Sequence, residues 1–428
     1  MVTHTLIAWA ILILLVFFLI FRSKYPNIPV WSFMSFLAFL SVAGGLVNIE
    51  EIPSAIDLNV IFFLIGMFSI IALAESSGLL DLLSHYVISK FKSTYAAIIG
   101  TFAFFGLLTS VAVNDTMAVM APPIVYFISK HLKIPYRQLL ILLAFSITIG
   151  SVMTPMGNPQ NVLIAIGSGM SAPFIYFIEY LFLPTIINLV ITSFLVIKIY
   201  KIPNNSIDIG TIPEEKIKNK KDAILAAIGI FSVIVAMIVN DILRVMGKPS
   251  IEQIGFIPFI IASSLYFFVS EPRSLIKEVD WGTIIFFITM FIAMDGVWKS
   301  GVASELLRVF IPSKPSDTIA PVLISIISII LSQLFSNVPF VKLFMDYMRE
   351  LGYTANNIVP WISLAMSSTI AGNLTLFGAA SNIIILEISE SRYKETIPFS
   401  EFFKIGFPVT LLNLTIYLLY IYLTSYSP

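Results

Sequence analysis

Two ionisable residues stand inside otherwise apolar sequence, each beside a short polar string. Asp115 lies within Val113-Asn114-Asp115-Thr116, and Lys342 follows Ser336-Asn337-Val338-Pro339 by about one helical turn. An ionisable side chain at such a position is costly and marks a functional site by default. Asp115 and Lys342 are expected to face each other or a common cavity. The lysine ammonium could stand in for a bound cation, or either group could carry a transported proton. The competing reading is a static buried ion pair that only fixes local packing.

Each string has a companion about forty residues on. The first is Thr154-Pro155-Met156-Gly157-Asn158-Pro159-Gln160-Asn161; the second is Leu374-Thr375-Leu376-Phe377-Gly378-Ala379-Ala380-Ser381-Asn382. Asn114 and Asn337 are 223 positions apart, while Thr154 and Thr375, Gly157 and Gly378, and Asn161 and Asn382 are 221 apart. Lipid cannot satisfy bare backbone amides, so polar breaks in apolar segments survive only where they line a protein cavity. Matching breaks in two halves point to a transporter's binding site. The candidate substrate- or ion-binding residues are Asn114, Asp115, Thr116, Thr154, Gly157, Asn158 and Asn161 from the first half. From the second they are Ser336, Asn337, Lys342, Thr375, Gly378, Ser381 and Asn382. Free amides and helix N-termini there suit an anion; unwound carbonyls and Asn, Ser and Thr oxygens suit a cation. Sodium is expected near Asn114, Asn158, Asn337 and Asn382. The bland alternative is that these polar residues merely glue helices together.

The elements that must carry this set are helices in a membrane. Hydrophobic residues make up 58% of the 428 and charged residues 12%, with 25 basic against 25 acidic side chains. Apolar runs predict full spans near 4–21, 31–47, 58–77, 138–168, 174–197, 223–242, 251–269, 281–298, 358–388 and 406–424. Regions 95–129 and 319–351 instead predict re-entrant hairpins, with arms of a dozen to seventeen residues around a polar tip. The expected architecture is therefore all-α and integral to the membrane, about ten crossings plus two hairpins. The first repeat covers 1–200, a cytoplasmic linker 201–222 and the second repeat 223–428. Five crossings per half make the second copy upside down, an inverted-topology repeat. Most of the 25 basic residues then fall inside, both flanks of the first hairpin are basic (Lys90, Lys92; Lys130, Lys133, Arg137), and both termini lie outside. Asp295 and Glu75 fall near span ends and read as interfacial.

Several classes are excluded or weakened. Zero net charge offers nothing to a nucleic acid, and the absence of cysteine excludes disulfides and thiolate chemistry. His4, His85 and His131 are scattered, so neither a metal site nor histidine catalysis is supported. A membrane enzyme is the remote alternative and would need clustered acids or histidines. The Asn204-Asn205-Ser206 sequon falls on the cytoplasmic side and is discounted.

The Asn114-Asp115-Thr116, Thr154-Pro155-x-Gly157-Asn158-Pro159-Gln160-Asn161 and Ser336-Asn337 strings resemble the ion transporter superfamily. The resemblance is to its arsenite permease and citrate–metal symporter branch, related to divalent anion/sodium symporters, and runs from about 31 to 424. It implies a homodimer in the cell membrane, with a moving domain that carries the site as an elevator. The family's Ser-Asn-Thr tip motif falls on Val113-Asn114-Asp115 and Ser336-Asn337-Val338, and only the asparagine is kept in both. The expected function is Na⁺- or H⁺-coupled secondary transport of a small inorganic or organic anion, with no other cofactor. A cation/proton antiporter with Asp115 as carrier is the alternative.

Overall fold

The computed structural model describes residues 2–24, 28–80, 82, 90–206, 217–309, 314, 315 and 317–425. His85, Lys216 and the middle of the expected linker lie outside them. The described residues are helical throughout, with one isolated bridge between Ser93 and Ser206. The longer helices are α1 (Val2–Lys24), α2 (Val30–Ala43), α3 (Leu58–Ser76), α4 (Thr94–Ala112), α5 (Asn114–Leu132), α6 (Tyr136–Gly150) and α7 (Pro159–Gly167). Next come α8 (Pro173–Ile199), which contains a π-helical turn, then α9 (Lys220–Val245), α10 (Phe256–Leu265), α11 (Trp281–Lys299) and α12 (Val302–Arg308). The chain closes with α13 (Ala320–Phe335), α14 (Asn337–Glu350), α15 (Ile358–Ile370), α16 (Ala380–Tyr393) and α17 (Phe399–Ser425).

Seven helical segments among the described residues are long and apolar enough to cross a membrane. Two expected spans are shorter than predicted: α2 has 14 residues and α10 has 10. Conversely, α4 and α5, expected as short arms, have 19 residues each. A helix of that length could cross unaided, so length and hydropathy alone cannot tell α4 from a span. The reversal at Val113 does.

Hydrogen bonds place the ends of both hairpins. The Tyr95 hydroxyl, at the start of α4, donates to the Ile202 carbonyl just past the end of α8 (3.1 Å). Arg137, five residues beyond the end of α5, pairs with Glu401 (3.3 Å), which also accepts from Tyr200 (2.8 Å). Hairpin α4–α5 thus enters beside the C-terminus of α8. Hairpin α13–α14 enters at the other end. Arg349 donates to the Gly167 carbonyl just before α8 begins (2.5 Å). The Tyr422 hydroxyl reaches Thr318, and Tyr420 the Glu179 carbonyl. The two tips therefore approach the middle of the bundle from opposite ends.

The helices form two packed groups. One contains α1, α2, α3, α9, α10 and α11; the other contains α4–α8 and α13–α17. They meet where α3 packs on α7, α11 on α14 and α9 on the start of α8, where the Ile175 amide donates to Asp241 (3.1 Å). Within the second group α4 and α6 cross at glycines: a Cβ on Gly150 would lie 2.0 Å from the Gly106 carbonyl oxygen. Small residues let backbones approach without lost contact, which is how apolar helices associate in lipid.

That crossing generates a test. Gly150→Val should force α4 and α6 apart and lower the thermal midpoint of the detergent-purified protein, at about 1–3 kcal/mol for overpacking. An unchanged midpoint would contradict the close crossing.

Candidate functional site

Both tips use a backbone that non-glycine residues avoid. Val113 has φ 65° and ψ 141°, Ser336 φ 66° and ψ 155°. Such conformations cost about 1–3 kcal/mol and persist only where surroundings hold them. In the first half the hold is direct. The Asn114 amide donates to the Gly157 carbonyl at 3.0 Å, and the Thr154 hydroxyl donates to the Ser110 carbonyl.

Break 1, between α6 and α7, is closed by its own side chains. Asn161 donates through Nδ2 to the carbonyls of Ser151 (3.1 Å), Val152 (3.2 Å) and Thr154 (3.0 Å). Its Oδ1 accepts from the Thr369 hydroxyl of α15 (3.2 Å). Asn158 caps α7 by accepting from the Asn161 amide (2.9 Å) and donates to Ser151 and Thr369. The carbonyls orphaned where α6 ends thus find partners inside the protein.

Break 2, between α15 and α16, repeats the backbone of break 1 but not its closure. Thr375 (φ −135°, ψ 158°) matches Thr154 (φ −135°, ψ 157°). Asn382 Nδ2 donates to Gly372 (2.7 Å) and Thr375 (3.3 Å) carbonyls, as Asn161 does at the corresponding positions. Ala379, however, replaces the capping asparagine, so α16 begins without a side-chain cap. Ser381 Oγ and Asn382 Oδ1 are buried without a hydrogen-bond partner.

The tips and breaks flank a cavity of about 650 Å³. Asn114, Asp115, Thr116, Ser336, Asn337 and Thr375 line it, as do Gln160, Gln333, Ala379 and Ala380. All belong to the second helix group. The facing wall comes from the first, through Phe68 and Glu75 of α3, Phe286 of α11 and Asp280, which caps the start of α11. Asn114 and Asn337 are 8% and 7% exposed, and the Oδ1 of each is buried without a hydrogen-bond partner. Charged lining residues are all acidic: Glu75, Asp115, Glu278 and Asp280.

The remaining candidates lie elsewhere. Thr154, Gly157, Asn158 and Asn161 form the closed network of break 1, and Gly378, Ser381 and Asn382 sit behind the cavity wall. Lys342 does not line the cavity, and the expected pairing with Asp115 is corrected: the structure gives Lys342 to Asp346, four residues on. Side chains at that spacing share one helix face, and Asp346 also accepts from Arg349 (2.6 Å). The triad faces the end of α7 instead of the tip. Glu75, read from sequence as interfacial, lines the cavity, whereas Asp295 pairs with Lys299 (2.8 Å). Sequence reasoning passed over Gln333, Gln160 and Thr369. The signal for Gln333 was available, since it stands 223 positions from Ser110, the residue that receives Thr154.

Residues 15–365 match the family model described as citrate transporter. A 46 kDa membrane protein of Mycobacterium leprae is 25% identical over 402 residues, 90% of this chain and 92% of that one. A Dictyostelium discoideum protein provisionally named transporter arsB is 25% identical over 486 residues, covering 89% and 84%. The fold is similar to the crystal structure of the Alcanivorax borkumensis YdaH transporter. There the TM-score is 0.53 at 12% identity, covering 88% of this chain and 89% of that one.

The contrast between the two halves predicts different costs for equivalent-looking asparagines. Asn161→Leu removes the bonds to three carbonyls, of which Ser151 keeps Asn158 and Thr154 keeps the Gly157 amide; at about 1–3 kcal/mol for an unsatisfied buried group it should lower the thermal midpoint clearly. Asn337→Ala removes no such bond and should leave the midpoint near wild type. Equal losses would contradict the assignment of break 1 as closed.

Proposed function

The chain belongs to the citrate transporter family, and from that premise we propose that it carries a small anion or oxyanion with Na⁺ or H⁺ by an elevator movement. The protein is a multi-pass membrane transporter, not an enzyme. The observation that carries the finer reading is the division of the cavity. Its polar tip and break residues all sit on one helix group, and the facing wall, apolar apart from Glu75, Glu278, Asp280 and Thr283, comes from the other. Tip and break residues carried together on one group can slide past the other without being dismantled, which is what an elevator movement requires.

Two further features support coupling to a cation. The buried carbonyl oxygens of Asn114 and Asn337 have no hydrogen-bond partner, and such oxygens are hard-cation ligands. The cavity's charged residues are carboxylates, so an anion entering alone meets repulsion that an accompanying cation or proton offsets. On this reading Asp115 is the carboxylate that senses the coupling ion. The matched tips and breaks, entering from opposite ends, form an inverted repeat. The cavity wall near Trp31, Glu278 and Phe399 is its cytoplasmic mouth by the positive-inside rule, and the family resemblance adds a homodimer in the cell membrane. The second reading is a cation/proton antiporter in which Asp115 is itself the carrier; the acidic lining is what favours it.

The test is thermal stability of the purified protein against citrate with and without Mg²⁺, arsenite, sulfate, Na⁺ and Li⁺ at two pH values. A ligand that binds the native state raises apparent stability by mass action. The expected result is a shift with one anion class that depends on Na⁺ or pH, a dependence Asp115→Asn removes. A shift with Na⁺ or Li⁺ alone would overturn anion carriage in favour of the antiporter.

A further inference from the structure

The two halves join tip to break by different means. In the first half the joint is made to backbone at both points, Asn114 amide to Gly157 carbonyl and Thr154 hydroxyl to Ser110 carbonyl. Among the described residues no backbone hydrogen bond joins tip 2 to break 2. One side chain spans the gap. Gln333, on the last turn of α13 just before the tip, donates through Nε2 to the Ala371 carbonyl (2.8 Å) and to Ile329 of its own helix (3.3 Å). Its Oε1 accepts from the Thr375 hydroxyl (2.7 Å). All its polar capacity toward the break is used, with both senses of hydrogen bond. It also packs tightly there: a Cβ on Gly378 would lie 2.9 Å from its Oε1. Gln333, Thr375, Ser336 and Asn337 all line the cavity.

We propose that Gln333 is a positioning residue that holds the Ser336–Asn337 tip against break 2, so that the second half of the site is set by one replaceable side-chain joint while the first is set by backbone. The inference rests on reading the cavity as the transport site. It makes the second half the adjustable one, because occupancy beside Thr375 acts on the same two hydrogen bonds that fix the tip. A side chain that donates at one point and accepts at the other is required; glutamine does this, a protonated glutamic acid can, and a carboxylate cannot, since it offers no donor to Ala371.

The experiment is amide hydrogen exchange on the full-length protein in detergent, without added ligand and corrected for intrinsic rates. Gln333→Leu is expected to raise exchange roughly tenfold across 371–378 and 336–340, the scale of two lost hydrogen bonds, while 154–161 stays as in wild type. Gln333→Glu should resemble wild type at about pH 3, where the side chain is neutral, and the leucine variant at about pH 8. Should the leucine variant fail to fold, the glutamate variant carries the test alone by comparing one preparation at two pH values. Unchanged protection at 371–378, equal loosening of both halves, or a glutamate variant indifferent to pH would each overturn the proposal. Because no ligand is used, failure of the transport reading would show separately, as a wild-type protein that no anion or cation stabilises.

Discussion

Every backbone group that leaves a helix inside an apolar surround must find a partner in the protein itself, and the rest of this structure follows from that constraint. Unsatisfied amides and carbonyls cost several kcal/mol each in hydrocarbon. Where α6 and α15 stop short, the chain therefore carries asparagine, threonine and glutamine instead of leucine. Asn161 and Asn382 perform one task at two places, each turning an amide nitrogen toward the carbonyls that its preceding helix leaves open. With those carbonyls met, the chain can stay extended for a few residues and restart as α7 or α16.

The same constraint makes the halves unequal. Break 1 has an asparagine cap, two prolines that remove donors, and a hydroxyl from α15 that closes the network. Break 2 has alanine at the cap, and Ser381 and Asn382 keep oxygens without a partner. Rigidity in one half and open polar capacity in the other suit a site that must hold shape while admitting a ligand. The acidic lining repels a negative charge that enters unaccompanied.

Much of this was legible in the sequence because polar residues are so expensive among apolar ones that each stands out. Asn114, Asp115, Thr116, Ser336, Asn337 and Thr375 were identifiable as cavity residues from that contrast and from their spacing, and the positions of both reversals followed. Three features were not legible. The length of the first hairpin's arms was one: α4 has the length and composition of a span and α5 has the length, although the chain reverses between them. Lys342 looked like a partner for Asp115 because sequence proximity to a tip says nothing about which way a helix face turns; its partner lay four residues along its own helix. Gln333 could have been flagged by its spacing to Ser110, but the joint it makes could not, because its counterpart in the first half is a backbone carbonyl, which has no letter in a sequence.

The most direct test of the central claim, a ligand site in the cavity between the helix groups, uses the absence of cysteine from the chain. A single cysteine in place of Val119, an exposed cavity-lining residue one turn beyond Asp115, reports access to the site in proteoliposomes through its rate of labelling by a maleimide. The account predicts that the transported anion, together with its coupling cation or proton, slows that labelling. A rate indifferent to every ligand the protein transports would contradict it.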